Sequence, residues 1–192
     1  MSFKIVLIGT SLGGLSALKI ILGNLPADFL VPIVIVQHRH KNSDNTLEAL
    51  LQEQTFLPIK EVEDKDKILP GNVYLAPADY HLLIEPGYFA LSTDEPVSYA
   101  RPSIDVLFES AADIYAEQVI GVILTGANHD GTQGLKKIKA RGGITIVQEP
   151  ATAESSIMPQ AAISAVTVDW ILSLAEIANL LKVLSATESA EC

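Results

Sequence analysis

Apolar residues recur along this chain in blocks that switch between the period of a strand and the period of a helix. Residues 3–9 are apolar at nearly every position, the pattern of a parallel strand covered on both faces. Residues 14–23 then place Leu15, Leu18, Ile21 and Leu22 on one helical face. The same pair of signals repeats in residues 31–36, another unbroken apolar run, and in a helix over 46–54 with Leu47, Leu50 and Leu51 inward. Asn42, Ser43 and Asp44 stand before that helix as capping residues. Residues 58–62 predict a short edge strand, and 73–76 a further strand.

The middle of the chain changes period. Residues 80–85 and 88–92 alternate apolar and polar around Pro86-Gly87, which predicts a β-hairpin attached to an otherwise parallel sheet. Arg101-Pro102-Ser103-Ile104-Asp105 has the proline and carboxylate of a helix start. Ile104, Leu107, Phe108, Ala111, Ala112 and Tyr115 form the stripe that helix would bury. Strands over 119–124, 144–148 and 166–168 then alternate with a basic helix ending at Arg141, a short helix from Met158-Pro159-Gln160, and an amphipathic helix over 174–184. Strands alternating with helices predict an α/β fold: a doubly wound, mostly parallel sheet with an inserted antiparallel β-hairpin. Residues 1–185 are expected to form one domain, with 186–192 a disordered tail.

Composition narrows the class. At 192 residues and 48% apolar, the chain is long enough for one sizeable core. Its apolar runs stop short of the roughly 18 residues a membrane helix needs, so no membrane insertion is expected. The N-terminus lacks a basic region followed by a small-residue cleavage site, and the single cysteine, Cys192, can form no internal disulfide. A reducing, cytoplasmic location is expected. A formal charge of −10 argues against sequence-independent binding of nucleic acid, which needs phosphate-neutralising cations.

Candidate chemistry stands at the strand ends. After the first strand, Gly9-Thr10-Ser11-Leu12-Gly13 reads G-x-S-x-G, the spacing of a turn that lifts a serine hydroxyl above the sheet edge and runs into a helix N-terminus. A glycine turn at that place also opens phosphate- and dinucleotide-binding domains, which leaves a non-catalytic nucleotide- or phosphate-binding module as an alternative. Ser11 sits where G-x-G-x-x-G needs a glycine, and no lysine follows Gly14 as a P-loop requires. His38 follows the second apolar strand and Asp130 follows the strand over 119–124. Serine becomes a nucleophile when an imidazole takes its proton, and a carboxylate holds that imidazole in its useful tautomer. Each residue also has a plainer role open to it: turn hydrogen bonding for Ser11, a strand-end histidine for His38, a helix N-cap for Asp130. His38, His40, His129 and Asp130 offer a second alternative, a metal-dependent hydrolase, although no further well-spaced ligand group completes it. His81, opening a hairpin strand, is expected to be structural.

Several separated motifs resemble one family in one order. These are Ile8-Gly9-Thr10-Ser11-Leu12-Gly13-Gly14, Val36-Gln37-His38, Leu69-Pro70-Gly71, residues 101–108, residues 121–126, Asp130-Gly131 and residues 158–163. Together they resemble the catalytic domain of CheB, the chemotaxis receptor protein-glutamate methylesterase, over about residues 4–184. The resemblance implies a serine hydrolase that removes methyl esters from receptor glutamates, with glutamine deamidation in some relatives, and no cofactor or metal. It also implies Ser11 as nucleophile, His38 as base and then acid, Asp130 as the orienting carboxylate, and backbone N–H groups of Leu12 and Ala127 as oxyanion donors. Arg39, His40 and Arg101 become candidates for the substrate rim, where Arg39, Lys41 and Arg101 would complement an acidic receptor surface. The implied partner is a methylated chemotaxis receptor or a related methyl-accepting signalling protein.

The chain also departs from the family pattern. Family members often have threonine at Leu12, methionine at Ala127, a Gly-Asn pair at Asn128-His129, and Met-Pro after the histidine. With the first strand beginning near Phe3, no phosphoacceptor receiver domain is expected ahead of the catalytic part, nor phosphorylation gating of the usual kind within this chain.

Overall fold

A computed structural model describes residues 3–39 and 46–186. Its centre is β1 (Ile5–Thr10), buried at all six positions. β2 (Ile33–Gln37) lies on one side of it and β7 (Val119–Ile123) on the other, both parallel. Beyond β2 come β4 (Val73–Leu75) and then β3 (Ile59–Glu61) at the edge. Beyond β7 come β8 (Ile144–Gln148) and β9 (Trp170–Leu172). The seven-stranded order is β3-β4-β2-β1-β7-β8-β9, parallel throughout.

Two apolar layers cover this sheet because successive strand residues face opposite ways. Val6 and Ile8 of β1 join Ile33, Ile35, Ile120 and Val122 beneath α1 (Gly14–Gly23) and α6 (Leu174–Ala186), which supply Leu18, Ile21, Leu22, Ile177 and Leu181. Ile5 and Leu7 face the other layer, where α3 (Ile104–Tyr115), α4 (Thr132–Ala140) and α5 (Ile157–Ala165) bring Leu107, Phe108, Leu135, Ile138 and Met158. Phe108 is wholly buried there; truncation to alanine in such a place costs about 3–5 kcal/mol. The remaining helix, α2 (Thr46–Gln52), buries Leu51 in the first layer. The expected caps Asn42, Ser43 and Asp44 lie outside the described residues.

Two expectations are refined. The hairpin, β5 (His81–Glu85) and β6 (Tyr88–Ser92), is antiparallel as expected but forms a separate two-stranded sheet. It rests on α3, with the Ser110 hydroxyl taking the Ile84 N–H at 3.0 Å. The last strand is not 166–168 but Trp170–Leu172, paired with Ile146, Val147 and Gln148. Val166-Thr167-Val168 has the β-branched composition of a strand, yet it spans the connection that carries the chain from α5 to the sheet edge.

The winding direction reverses at β1. From there the chain builds outward through β2, then returns to add β7 on the opposite side. A doubly wound sheet opens a crevice at such a point, outside the carboxyl ends of the strands. Ser11, His38 and Asp130 follow β1, β2 and β7, and so lie on that one edge.

Candidate active site

The turn that carries Ser11 is built by its neighbours. Thr10 ends β1 and donates its hydroxyl to the Thr125 carbonyl at 2.8 Å, and the Ser11 N–H donates to the same carbonyl at 3.0 Å. Thr125 answers by donating its own hydroxyl to the Leu12 carbonyl at 2.8 Å. Gly13 then takes a left-handed conformation, φ 81°, which a side chain would strain. At Gly14 a Cβ would fall 1.9 Å from Gln37 Oε1 and 2.7 Å from Thr10 Oγ1, so any larger residue would have to displace both side chains that build this turn. Gln37 uses that proximity: its amide donates to the carbonyls of both Ser11 and His38, each at 2.9 Å, and ties the two loops together. Among the described residues, the N–H groups of Leu12 and Ala127 donate to no protein acceptor.

His38 and Asp130 meet. The imidazole Nε2 lies 2.8 Å from Asp130 Oδ2, and the carboxylate is 1% exposed. Asp130 also accepts from the Ser103 hydroxyl at 2.8 Å and from the N–H groups of Ile104 (2.6 Å), Asp105 (3.0 Å) and Gly131 (3.0 Å). Three of those donors are the cap and first residues of α3, so the open N-terminus of that helix is aimed at the carboxylate. Burial by itself would raise the Asp130 pKa. The hydrogen bonds from His38, Ile104 and Asp105 outweigh it and hold the carboxyl below its usual range. The plainer role considered for Asp130 thus survives in altered form. It caps a helix, but α3 from across space, while the α4 cap is Gly131 with no side-chain bond.

This clamp was not legible in sequence, because nothing along the chain links residue 103 to residue 130. Behind it stands His81, 2% exposed, whose Nδ1 accepts the Ser103 N–H at 3.2 Å and whose Nε2 meets the Glu95 carbonyl at 3.1 Å. Its structural role is to fix the residue that holds Asp130. Asp105, next in the helix, is 6% exposed and accepts the Gly134 N–H at 2.7 Å. Burial, aided by the nearby Asp130 charge, pushes its carboxyl up to about 6.

Ser11 and His38 both line a cleft of ≈ 380 Å³, together with Arg39, Asn128 and residues 98–102. The serine hydroxyl is not hydrogen-bonded to the imidazole. Instead the Asn128 side-chain amide sits 2.8 Å from His38 Nδ1. One wall of the cleft is a tight turn in which Val97 and Ala100 exchange backbone hydrogen bonds. Ser98 and Tyr99 occupy positive φ there, 51° and 64°, and the Tyr99 side chain is fully exposed.

The rim candidates behave differently from free cations. Arg39 lines the cleft, but its guanidinium pairs with Glu61 and donates to the Ala76 carbonyl at 3.2 Å. Arg101 is spent on Asp79, at 2.7 Å, and on the carbonyls of Thr93 and Asp94. Both anchor the walls of the cleft. His40 and Lys41 lie outside the described residues. His129 lines an adjoining cleft with Asp105 and Thr132 rather than the one that holds His38. Among the described residues, no group of three His, Cys, Asp or Glu side chains is placed to share a metal ion. His38 has both ring nitrogens engaged by protein groups. No helix among those residues is long and apolar enough to cross a membrane.

Known proteins resemble the chain over nearly its whole length. The family profile for CheB methylesterase matches residues 6–181. The protein-glutamate methylesterase/protein-glutamine glutaminase of Thermotoga maritima is 38% identical over 176 residues; these cover 90% of this chain and 51% of that protein, so this chain spans about half of its length. A Leptospira interrogans protein provisionally named for the same two activities is 52% identical over 181 residues, 94% of each chain. The crystal structure of the Thermotoga maritima CheB methylesterase catalytic domain superposes with a TM-score of 0.92 at 37% identity, covering 96% of this chain and all of that one.

Proposed function

The chain belongs to the CheB methylesterase family, and from that premise we propose that it is a serine hydrolase cleaving γ-glutamyl methyl esters of methyl-accepting chemotaxis receptors or related signalling proteins in the cytoplasm. The observation that carries this reading is the 2.8 Å contact between His38 Nε2 and the buried Asp130, at the head of a cleft that also exposes Ser11.

The roles follow from which atoms are engaged. Asp130 accepts a proton-bearing Nε2, so His38 keeps its lone pair on Nδ1, the nitrogen facing away from the carboxylate. Nδ1 takes the Ser11 proton as Oγ attacks the ester carbonyl. The oxyanion that forms is met by the free N–H groups of Leu12 and Ala127, which carry no competing bond to break. His38 then returns the proton to the departing methoxide, and methanol leaves an acyl-enzyme on Ser11. Water, deprotonated by the same nitrogen, releases the glutamate and restores the serine. A glutamine side chain fits the same sequence with ammonia as leaving group. Asp130 stays ionised throughout, its charge held by the α3 N-terminus while it stabilises the imidazolium.

Methanol release from a methylated receptor fragment tests the reading. Ser11→Ala and His38→Ala are each expected to abolish release while leaving the thermal melt near that of the parent. Undiminished release by Ser11→Ala refutes it. A nucleotide- or phosphate-binding module would instead show ligand binding insensitive to Ser11→Ala and no methanol at all.

A further inference from the structure

Both proton abstractions of that reaction, from Ser11 and from water, need the Nδ1 lone pair of His38, and in this structure the lone pair is occupied. Asn128 Nδ2 lies 2.8 Å from Nδ1. The amide cannot be turned round without loss, because its other end, Oδ1, accepts the Asp130 N–H at 3.0 Å. With Oδ1 committed to a donor, the NH₂ group must face the imidazole. Asp130 fixes the same tautomer from the opposite side by accepting from Nε2. Asn128 and Asp130 therefore grip one ring from both nitrogens, and the first of these grips covers the atom on which catalysis depends.

Resting on the hydrolase reading above, we propose that Asn128 is a gate on the catalytic base: its amide plugs His38 Nδ1 in the resting enzyme and must swing out before Ser11 can be deprotonated. While the plug is in place, the Ser11 proton has no acceptor, and none of the described residues hydrogen-bonds to that hydroxyl. Asn128 lines the same cleft as Ser11 and His38, so a substrate entering there meets the amide. An ester or amide carbonyl arriving in the cleft is an acceptor that competes for the same N–H. The exchange needs no proton or electron beyond those of the hydrolysis: one hydrogen bond to Nδ1 is replaced by another, from Ser11 Oγ. Asn128 acts through His38 and is a positioning residue of inhibitory sign.

The sign separates a gate from a support. Deleting a group that merely holds the ring in place slows the reaction, whereas deleting a plug speeds it. The test is the second-order rate at which a small fluorophosphonate labels Ser11, alongside kcat/KM for methyl-ester hydrolysis. Asn128→Gly and Asn128→Ala are expected to raise both by about two- to tenfold, the factor set by one net neutral hydrogen bond. Asn128→Asp is expected to lower both by at least about tenfold, since a carboxylate at that place holds a proton on Nδ1. A thermal melt of each variant confirms folding, and Asn128→Ser, which keeps a donor on a shorter arm, serves if the glycine and alanine variants do not fold; it is expected to give a smaller rise. Parent labelling at Ser11 with no acceleration in a folded deletion variant overturns the gate and leaves the hydrolase reading standing. Absence of labelling in parent and variants alike overturns both.

Discussion

Asp130 is the residue on which the site's electrostatics turn. It is buried, it is ionised, and five donors converge on it. Its depressed pKa means that the folded state binds its proton more weakly than the unfolded chain does. The stability it contributes is therefore present above the unfolded carboxyl pKa and lost as the pH falls through the folded one. Asp130→Asn is expected to reduce kcat by about 10³–10⁴-fold, because an amide can present N–H to Nε2 and invert the tautomer. Steady-state methanol release measures this. Asp105 carries the opposite sign. Its carboxyl is raised to about 6, so stability is lost as the pH rises from the unfolded value near 3.8 through 6. Asp105→Asn keeps an acceptor for the Gly134 N–H and removes the buried charge. Denaturant unfolding is expected to show it more stable than the parent by up to about 3 kcal/mol at pH 7.5, with the gain gone near pH 4.

At the scale of elements, the two walls of the cleft are held by ion pairs and by a turn in an unfavourable conformation. Ser98 and Tyr99 both adopt positive φ without being glycine or asparagine, a placement costing on the order of 1–2 kcal/mol per residue. Strain of this kind at the mouth of a cleft is retained where the side chain has work to do, and Tyr99 projects fully exposed beside Ser11 and His38. Tyr99→Gly is expected to leave stability unchanged or raised by up to about 1 kcal/mol, while KM for the receptor fragment rises severalfold and kcat holds. An unchanged KM would remove Tyr99 from the binding surface. Arg39 joins the end of β2 to Glu61 of β3, so Arg39→Ala is expected to cost about 1–3 kcal/mol of stability, by thermal or denaturant melt.

Those elements also mark where a linear reading of the chain succeeds. Ser11, His38 and Asp130 stand out in sequence as candidates because each follows a nearly uninterrupted apolar run, and the parallel strands do bring those ends to one edge. The polar residues closing those runs carried a weaker signal of the same kind. Gln37 ends β2 and ties Ser11 to His38; Gln148 ends β8 and accepts the Thr125 N–H at 2.9 Å. The Ser103 clamp had no signal, and Asn128 stood out only as a departure from the family pattern; both contacts join loops that are remote in sequence and meet only once the sheet has formed. The misplaced last strand has a different cause. Trp170 and Ile171 are about half exposed at the sheet edge, and hydrophobic patterning is weakest there, so the β-branched 166–168 looked the better strand.

Taken whole, the chain has an acidic α/β fold, and the two described arginines lining the cleft, Arg39 and Arg101, are internally neutralised. A net charge of −10 with Arg39 and Arg101 engaged by Glu61 and Asp79 leaves little local attraction for an acidic receptor surface. Raising ionic strength is thus expected to leave kcat/KM for receptor demethylation unchanged or to increase it, because screening relieves repulsion between like-charged partners. A steep fall with salt would show that other cations steer the encounter.

In the proposed mechanism the acyl group passes through Ser11. Rapid acid quench of the enzyme with a methylated receptor fragment, followed by peptide mass spectrometry, measures this most directly. A covalent γ-glutamyl adduct is expected on the peptide containing Ser11, formed as methanol appears and absent from His38→Ala. Turnover with no adduct at Ser11, or an adduct on a different residue, would contradict it.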